Sequence, residues 1–590
     1  MDRAKGRMMG AKGQKTKGRE IKDRQGRRES RAEALYRAGR LAEASAEAQA
    51  TLARRPGHGP SLSVLARIAL RIGQPATTVA LLQGAKPEAD LLNLLGEGLR
   101  ALGHESEAVT AYEHALALDP DHVGALGNLA VLWQGQRRFG DAFLLYEKAI
   151  ALAPDLVALR SNLAALFLAV DMLEPAEEQV RAALRLDADD ETARLTFADL
   201  RLLQGRTAEA EAEYRRVLAN HPDHPVARLH LAHALKARGA ATEALSLYQA
   251  LAAERPQDPT YRWNEGLCRL LLGDLPAGWD GFEARFAAGA APPPRGNPTV
   301  PVWDGALPFT GTLRLQAEQG LGDTIQMVRF AALLKERGAG RLVLACPPSL
   351  VGLLARVEGL DEVVPEEDIE EDIAEDMGAT APREPAMHPS LMTLPLMSLP
   401  HRLRIETKDL AGTPYLAADP DRAAAWRARL DSESGGSSAP RIGLVWQGQR
   451  QHRNDRNRSI PAKALADLGK SARTGRHWFS LQKDASADDL SALRAGLPGL
   501  VDLGPDLTSF TETAAAISAL DLVIAVDTAV AHLAGALGKP VWLLLAQAPD
   551  WRWGLGQDQT PWYASARLFR QPAPGDWSGL IAQLGAALNA

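Results

Sequence analysis

The sequence is poor in cysteine, in aromatic side chains and in long apolar runs. Its 590 residues include two cysteines, Cys268 and Cys346, far apart and without cysteine neighbours. This argues against a disulfide framework or a cysteine-rich zinc site and fits a reducing compartment. Aromatic residues make up 5% of the chain, while alanine and leucine are plentiful and favour helix. No apolar run is long enough to span a bilayer, and the amino-terminal stretch is polar and basic, without the apolar segment of a secretory signal. Positive charge is not in excess either. The formal net charge of −6 argues against a dedicated nucleic-acid binder. Together these absences lead us to expect a cytoplasmic protein with no transmembrane segment and no nucleic-acid partner. A chain of this length exceeds one hydrophobic core, so several domains are expected.

What the sequence does contain begins with a Lys-, Arg- and Gly-rich tail over 1–29, whose composition predicts disorder. An internal repeat follows over 30–288. Prolines recur at Pro120, Pro154, Pro222 and Pro256, with Ala188 at the missing beat, on a step of 34 residues. Small residues keep the same register at Gly96, Ala130, Ala164, Ala198, Ala232 and Gly266, and again at Ala108, Ala142, Ala176, Ala210, Ala244 and Gly278. Four positions after the second series come Tyr112, Tyr146, Val180, Tyr214, Tyr248 and Phe282. This is the tetratricopeptide (TPR) pattern. Small residues let two antiparallel helices approach, the large residue fills the space between repeats, and proline closes the second helix. Each unit buries its apolar face by stacking on its neighbours. Residues 30–90 read as earlier, degenerate repeats, the second of them short.

A Pro-rich linker over 289–308 ends the repeats, and the pattern changes to short apolar runs alternating with helices, as in a parallel α/β sheet. Two such units are expected, over 309–431 and 441–590, separated by a Ser/Gly linker over 432–440. Strands are predicted around Leu313–Gln316, Arg341–Ala345, Ile442–Trp446, Trp478–Leu481, Leu522–Val526 and Val541–Leu545. The first unit carries an acidic insertion over 361–376 with ten carboxylates, read as a solvated loop.

Three constellations can carry chemistry. Glu318-Gln319-Gly320-Leu321-Gly322-Asp323 lies between a strand and a helix, where Gly320 and Gly322 allow the backbone to approach a ligand and helix N–H groups favour an anion. Its spacing is neither the dinucleotide fingerprint nor a Walker loop. Asp527-Thr528-Ala529-Val530-Ala531-His532 follows an apolar strand, at the carboxyl end where α/β sheets bind ligands. The loop over 447–459, with His452 and Arg458, is dense in the forked donors that suit phosphate. Gln482 and Lys483 end a neighbouring strand in a comparable position. Trp551, Arg552, Trp553 and Trp562 are read mainly as packing.

With Pro395–Pro400, Pro549–Trp553 and Pro561–Tyr563 following in order, these motifs resemble the bacterial TPR-linked glycosyltransferases related to ADP-heptose heptosyltransferases, over the chain from about 310 onwards. In overall layout the chain also resembles the TPR-bearing flagellin glycosyltransferases and O-GlcNAc transferase. The resemblance implies a GT-B architecture, two Rossmann-like lobes facing across a cleft, behind an α-helical TPR solenoid. It implies a catalytic base at Asp323, and donor contacts at Lys483, Asp527, Thr528 and His532, to which the reading of the residues adds Gly320, Gly322, His452 and Arg458. It implies an inverting enzyme without metal or cofactor, whose substrate is a nucleotide-sugar. Ala529 departs from the glycine common at that place in heptosyltransferases. Asn128, Asn162 and Asn264 share one repeat position, with Thr196 and His230 at the intervening beats. By resemblance to O-GlcNAc transferase they hold the backbone of a protein acceptor, since an amide both donates and accepts. The layout implies transfer to Ser or Thr, with flagellin the favoured acceptor. The alternatives are a lipid or polysaccharide acceptor, or a TPR adaptor with an inactive transferase half.

Overall fold

The computed structural model describes residues 30–293, 300–367, 391–450, 454–471 and 475–590. The chain divides into two compact units, Met1–Leu200 and Arg201–Ala590. The basic tail and most of the acidic insertion lie outside the described residues.

The first unit consists of antiparallel helix pairs. Arg31–Arg37 pairs with Leu41–Arg54, and Gly59–Arg71 with the short helix Pro75–Leu82. From Ala89 onwards the pairs are regular: Ala89–Ala101 with Glu105–Leu118, Val123–Gly135 with Phe139–Leu152, Val157–Ala169 with Leu173–Leu186. First helices have 13 residues and second helices 14. The residues chosen by periodicity are the ones that pack. Ala108, Ala142 and Ala176 are fully buried, as are Tyr112, Tyr146 and Val180. Between the helices of a pair one residue adopts a left-handed conformation. It is Gly at Gly39, Gly73 and Gly103 but Arg137 and Asp171 in the next two pairs, where a Cβ makes that geometry costly.

Helix Glu191–Leu203 spans the division, and the second unit continues the repeat with Thr207–Asn220, Pro225–Ala237 paired with Ala241–Glu254, and Pro259–Leu271 paired with Leu275–Phe282. In the last pair alanine gives way to glycine. A Cβ on Gly266 would lie 2.6 Å from the backbone carbon of Gly281, so these two helices touch backbone to backbone.

Two all-parallel sheets follow. The first has strands β1 (Phe309–Gln316), β2 (Ala339–Cys346), β3 (Glu362–Pro365) and β4 (Leu391–Pro395), in the order β3-β2-β1-β4. The second has β5 (Arg441–Val445), β6 (His477–Ser480), β7 (Val501–Asp502), β8 (Leu522–Val526), β9 (Val541–Leu545) and β10 (Ala566–Arg570), in the order β10-β9-β8-β5-β6-β7. This is the Rossmann strand order, with its reversal between β5 and β8. The central strands β8 and β9 are continuous apolar runs, as parallel strands buried on both faces are. Ile442, Leu444, Ile524, Val526 and Leu544 form one core with Leu580, Ile581 and Leu584 of the terminal helix Trp577–Asn589. All six predicted strands form. β3, β4, β7 and β10 are additional.

Candidate active site

The reversal point of each sheet places one of the motifs. In the first lobe the Glu318–Asp323 turn leaves the carboxyl end of β1, between β2 and β4, and opens the helix Leu321–Met327. Gln319 is left-handed there, at φ 62°. The Asp323 side chain, at the third helical position, accepts from the Gly320 N–H at 2.7 Å. In the second lobe Asp527 and Thr528 end β8 beside β5. Thr528 precedes the helix Ala529–Ala536, but its hydroxyl donates back to the Val526 carbonyl at 3.2 Å, so the helix start has no side-chain cap. Uncapped N–H groups at such a start attract an anion.

The two helix starts meet. A Cβ on Gly322 would lie 2.9 Å from His532 Cδ2 and 3.4 Å from Ala529 Cα, so glycine is what lets the lobes approach this closely. Gly322 therefore faces Ala529 and His532, which brings the Asp323 turn to the helix start that follows Asp527 and Thr528. Arg458 joins them: its Nη1 donates to the Asp527 carbonyl at 3.2 Å, while Asp455 accepts from its Nε at 3.3 Å. Ser459 and Asp455 shape that loop, Ser459 Oγ accepting from the Gly448 N–H at 2.9 Å and donating to Asp455 at 2.9 Å. Lys483 lies exposed past the end of β6 and makes no ion pair among the described residues. His452 lies outside the described residues.

His532 is 4% exposed. Its ring stacks on Trp553 with centroids 5.3 Å apart, and Nδ1 shares a hydrogen bond with the Tyr563 hydroxyl at 2.9 Å. Burial, with Arg552 and Arg329 nearby, holds its pKa well below the ordinary histidine value, so the imidazole is neutral. Burial, reinforced by Asp550, pushes the Asp527 carboxyl up to about 6.

The residue that sequence reasoning undervalued is Arg552. It donates from Nη2 to Asp323, from Nε to Gln326 at 2.6 Å and from Nη1 to Asp550 at 2.7 Å. Trp551, Trp553 and Trp562 are buried, as packing residues. Trp551 meets Trp279 of the last repeat edge-on at 5.2 Å. A second buried network joins that repeat to the Gly-rich turn. Arg285, 1% exposed, donates to Glu318 at 2.6 Å, to Ser398 at 2.7 Å and to Glu283 at 2.8 Å. Burial raises the Glu318 pKa, and the Arg285 pair opposes that rise. In the sequence each arginine stands two residues after a carboxylate and beside aromatic residues, Arg285 after Glu283 and Arg552 after Asp550, and nothing there points to a partner on a distant segment.

The asparagines of the repeats differ among themselves. Asn128 donates to Asn93 at 3.0 Å and to Glu97 at 3.2 Å, in a part-buried polar ladder. Asn162 is half-buried. Asn264 is 4% exposed, donating to the Thr260 carbonyl at 2.9 Å and bonded to His233 at 3.2 Å, so its amide is already engaged.

Parts of the chain are similar to known proteins. Residues 89–122, 173–225 and 201–263 match tetratricopeptide repeat families, and residues 474–574 match glycosyltransferase family 9 (heptosyltransferase). The chain carries TPR repeats and a family 9 glycosyltransferase domain. The matched segment runs from β6 to β10 and holds Lys483, Asp527, Thr528, His532 and Arg552. Protein FlbA of Caulobacter vibrioides is 25% identical over 342 residues, covering 54% of this chain. The chain spans about half the length of that curated relative, 53%. Among solved structures, a family 9 glycosyl transferase from Veillonella parvula is 13% identical with a TM-score of 0.34, covering 45% of this chain and 88% of the other. A tetratricopeptide repeat protein from Parabacteroides merdae is 17% identical with a TM-score of 0.30, covering 44% and 91%. No helix among the described residues is long and apolar enough to cross a membrane.

Proposed function

We propose that the protein transfers a sugar from a nucleotide-sugar to a Ser or Thr hydroxyl of a protein acceptor held by the repeats, by direct displacement with inversion. The observation that carries this reading is the meeting of the Asp323 turn with the uncapped helix start at Thr528, an acceptor-side carboxylate facing a donor-side anion site across Gly322.

In the proposed step Asp323 takes the proton of the acceptor hydroxyl. The acceptor oxygen forms a bond to the anomeric carbon on the face opposite the leaving group. The carbon–phosphate oxygen bond breaks, and its electron pair departs with the nucleoside diphosphate. A carboxylate offers about four acceptor positions, so Asp323 retains capacity beyond Gly320 and Arg552. A positioned base is worth about 10²–10⁴-fold in rate. The Thr528 helix start, Arg458, Lys483 and His452 stabilise the departing phosphates, which fixed donors do without reorganisation. No cofactor or metal enters this scheme. Asn128 and Asn162 are the proposed acceptor contacts on the repeats. Asn264 contributes only by releasing its present bonds.

Flagellin is the acceptor we favour, on the resemblance of the layout to TPR-bearing flagellin glycosyltransferases. The test is the intact mass of flagellin from cells with the natural protein, without it, or with Asp323→Asn. Loss of a sugar-sized mass in both altered strains is the expected result. Loss only in the null strain removes Asp323 from the chemistry and favours an adaptor role. No change in either strain rules out flagellin and moves the search to other proteins or to a lipid or polysaccharide acceptor.

A further inference from the structure

We infer that Arg552 is an interlobe latch and a positioning residue for Asp323. The inference of positioning rests on the reading of Asp323 as the base. The latch stands on geometry alone.

Three nitrogens of one guanidinium are committed. Two bonds cross to the first lobe, to the Asp323 carboxylate and to Gln326 Oε1 at 2.6 Å, both on the helix Leu321–Met327. The third stays in the second lobe, on Asp550 at 2.7 Å. The side chain is buried and lies over the Trp551 ring, 4.2 Å from its centroid. Trp551 in turn is packed against Trp279 and Trp562, so the guanidinium has a rigid floor. Only arginine presents this planar fork; a lysine ammonium replaces the charge but cannot reach three partners in one plane.

The consequence for Asp323 is orientation. One oxygen accepts from the Gly320 N–H of its own turn and the other from Arg552 of the opposite lobe. The carboxylate plane is therefore set by both lobes and is correct only when they are together. The charge balance requires the same residue. Asp323, Asp550 and Asp527 all act on Arg552 and keep it charged although burial opposes charge. Removing it leaves part-buried carboxylates facing one another across the lobes without their shared cation, and their repulsion drives the lobes apart. An open pair of lobes admits donor and acceptor, and the latch forms when the helix Leu321–Met327 returns to Asp550.

The test uses the full chain with Glu336→Cys and Lys463→Cys as spin-label sites, both exposed and one on each lobe, while native Cys268 and Cys346 are buried. The label-to-label distance distribution is measured by double electron–electron resonance. Arg552→Gln is expected to broaden and lengthen it, Arg552→Lys to restore it incompletely, and Arg567→Gln, on β10 of the second lobe, to leave it unchanged. Distributions identical in the natural protein, Arg552→Gln and Arg552→Lys overturn the latch. Gln326→Met, which removes one of the two bonds that cross the lobes, supplies the same test if Arg552→Gln does not fold. For the positioning role, sugar nucleotides of ADP, UDP, GDP and dTDP are screened for nucleotide release. On the one accepted, Arg552→Gln is expected to lower kcat by about tenfold or more with donor KM within about threefold. In an Asp323→Asn background it is expected to lower kcat no further. Additive losses overturn positioning. An active Asp323→Asn protein overturns the base reading instead, and the spin-label result stands by itself.

Discussion

In the repeats up to Leu200, side chains find partners about one repeat away; around Asp323 they find them more than two hundred residues away. Arg67 bonds Glu33 across 34 residues and Asn128 bonds Asn93 across 35. Arg552 reaches Gln326 across 226 residues and Asp323 across 229, and Arg329 reaches the Trp562 carbonyl across 233. The first region is a stack of nearest-neighbour contacts, each paid in local chain entropy. The second is assembled from separated segments and exists only when both sheets are formed. A change in the repeats should therefore be felt locally, and one in the site across both lobes.

The largest expected effect tests the site. Asp323→Asn should lower transfer by about 10²–10⁴-fold while leaving the folded state intact. Turnover close to that of the natural protein would place the base elsewhere.

Next is the junction between the last repeat and the Gly-rich turn. Arg285→Met strands Glu318 in a buried site and should cost about 3–5 kcal/mol of stability in urea unfolding. Adding Glu318→Met should recover most of the loss. If the double variant is no better than the single, the pair is not what holds the turn.

Glycine contrasts the two regions directly. Gly266→Ala pushes a methyl into the Gly281 backbone and should cost up to about 3 kcal/mol. Gly96→Ala, in the first unit, puts its Cβ 2.5 Å from the Tyr112 ring, a side chain that can shift, and should cost less. The reverse order in thermal unfolding would mean that the last pair is not more closely packed.

Asp527 supplies a pH test. Its carboxyl titrates at about 6 in the folded protein, above the unfolded value of about 3.9. Its contribution is therefore favourable at low pH and lost as pH rises through the folded value, on the order of 2 kcal/mol between pH 4 and 7. Asp527→Asn should remove that loss. Equal pH profiles for the two proteins would show that the carboxyl is not buried as charged.

The smallest effect lies in the first unit. Arg137→Gly relieves a left-handed arginine at φ 61°. The relief exceeds the entropy cost of glycine by about 0.5 kcal/mol, read as a small rise in Tm.

The repeats and the central strands were legible for the same reason. A 34-residue period and short apolar runs record burial that the chain accomplishes within one or two neighbouring elements. β7 has two residues, too short to leave a pattern, and β3, Glu362–Pro365, lies within the acidic stretch read as a loop, a reading that its pairing with β2 corrects. β10, Ala566–Arg570, carries two arginines in five residues, Arg567 and Arg570, and lies at the sheet edge. Asp323, Asp527, Thr528 and Arg458 were legible as candidates because each follows a strand at its carboxyl end. Arg552 was not, because a charged residue between two tryptophans looks the same whether it packs or pairs.

By itself, then, the sequence determined the repeat register, the parallel α/β plan and the motifs at the strand ends. These follow from local propensity and from apolar periodicity, which need no distant partner. Only the tertiary structure decided that Gly322 lets the two helix starts touch, that His532 turns inward to Tyr563, and that Arg552 joins Asp323 to Asp550. The physical reason is that a hydrogen bond or ion pair depends on distance and burial. Chain folding sets both for residues whose separation in sequence carries no information about either.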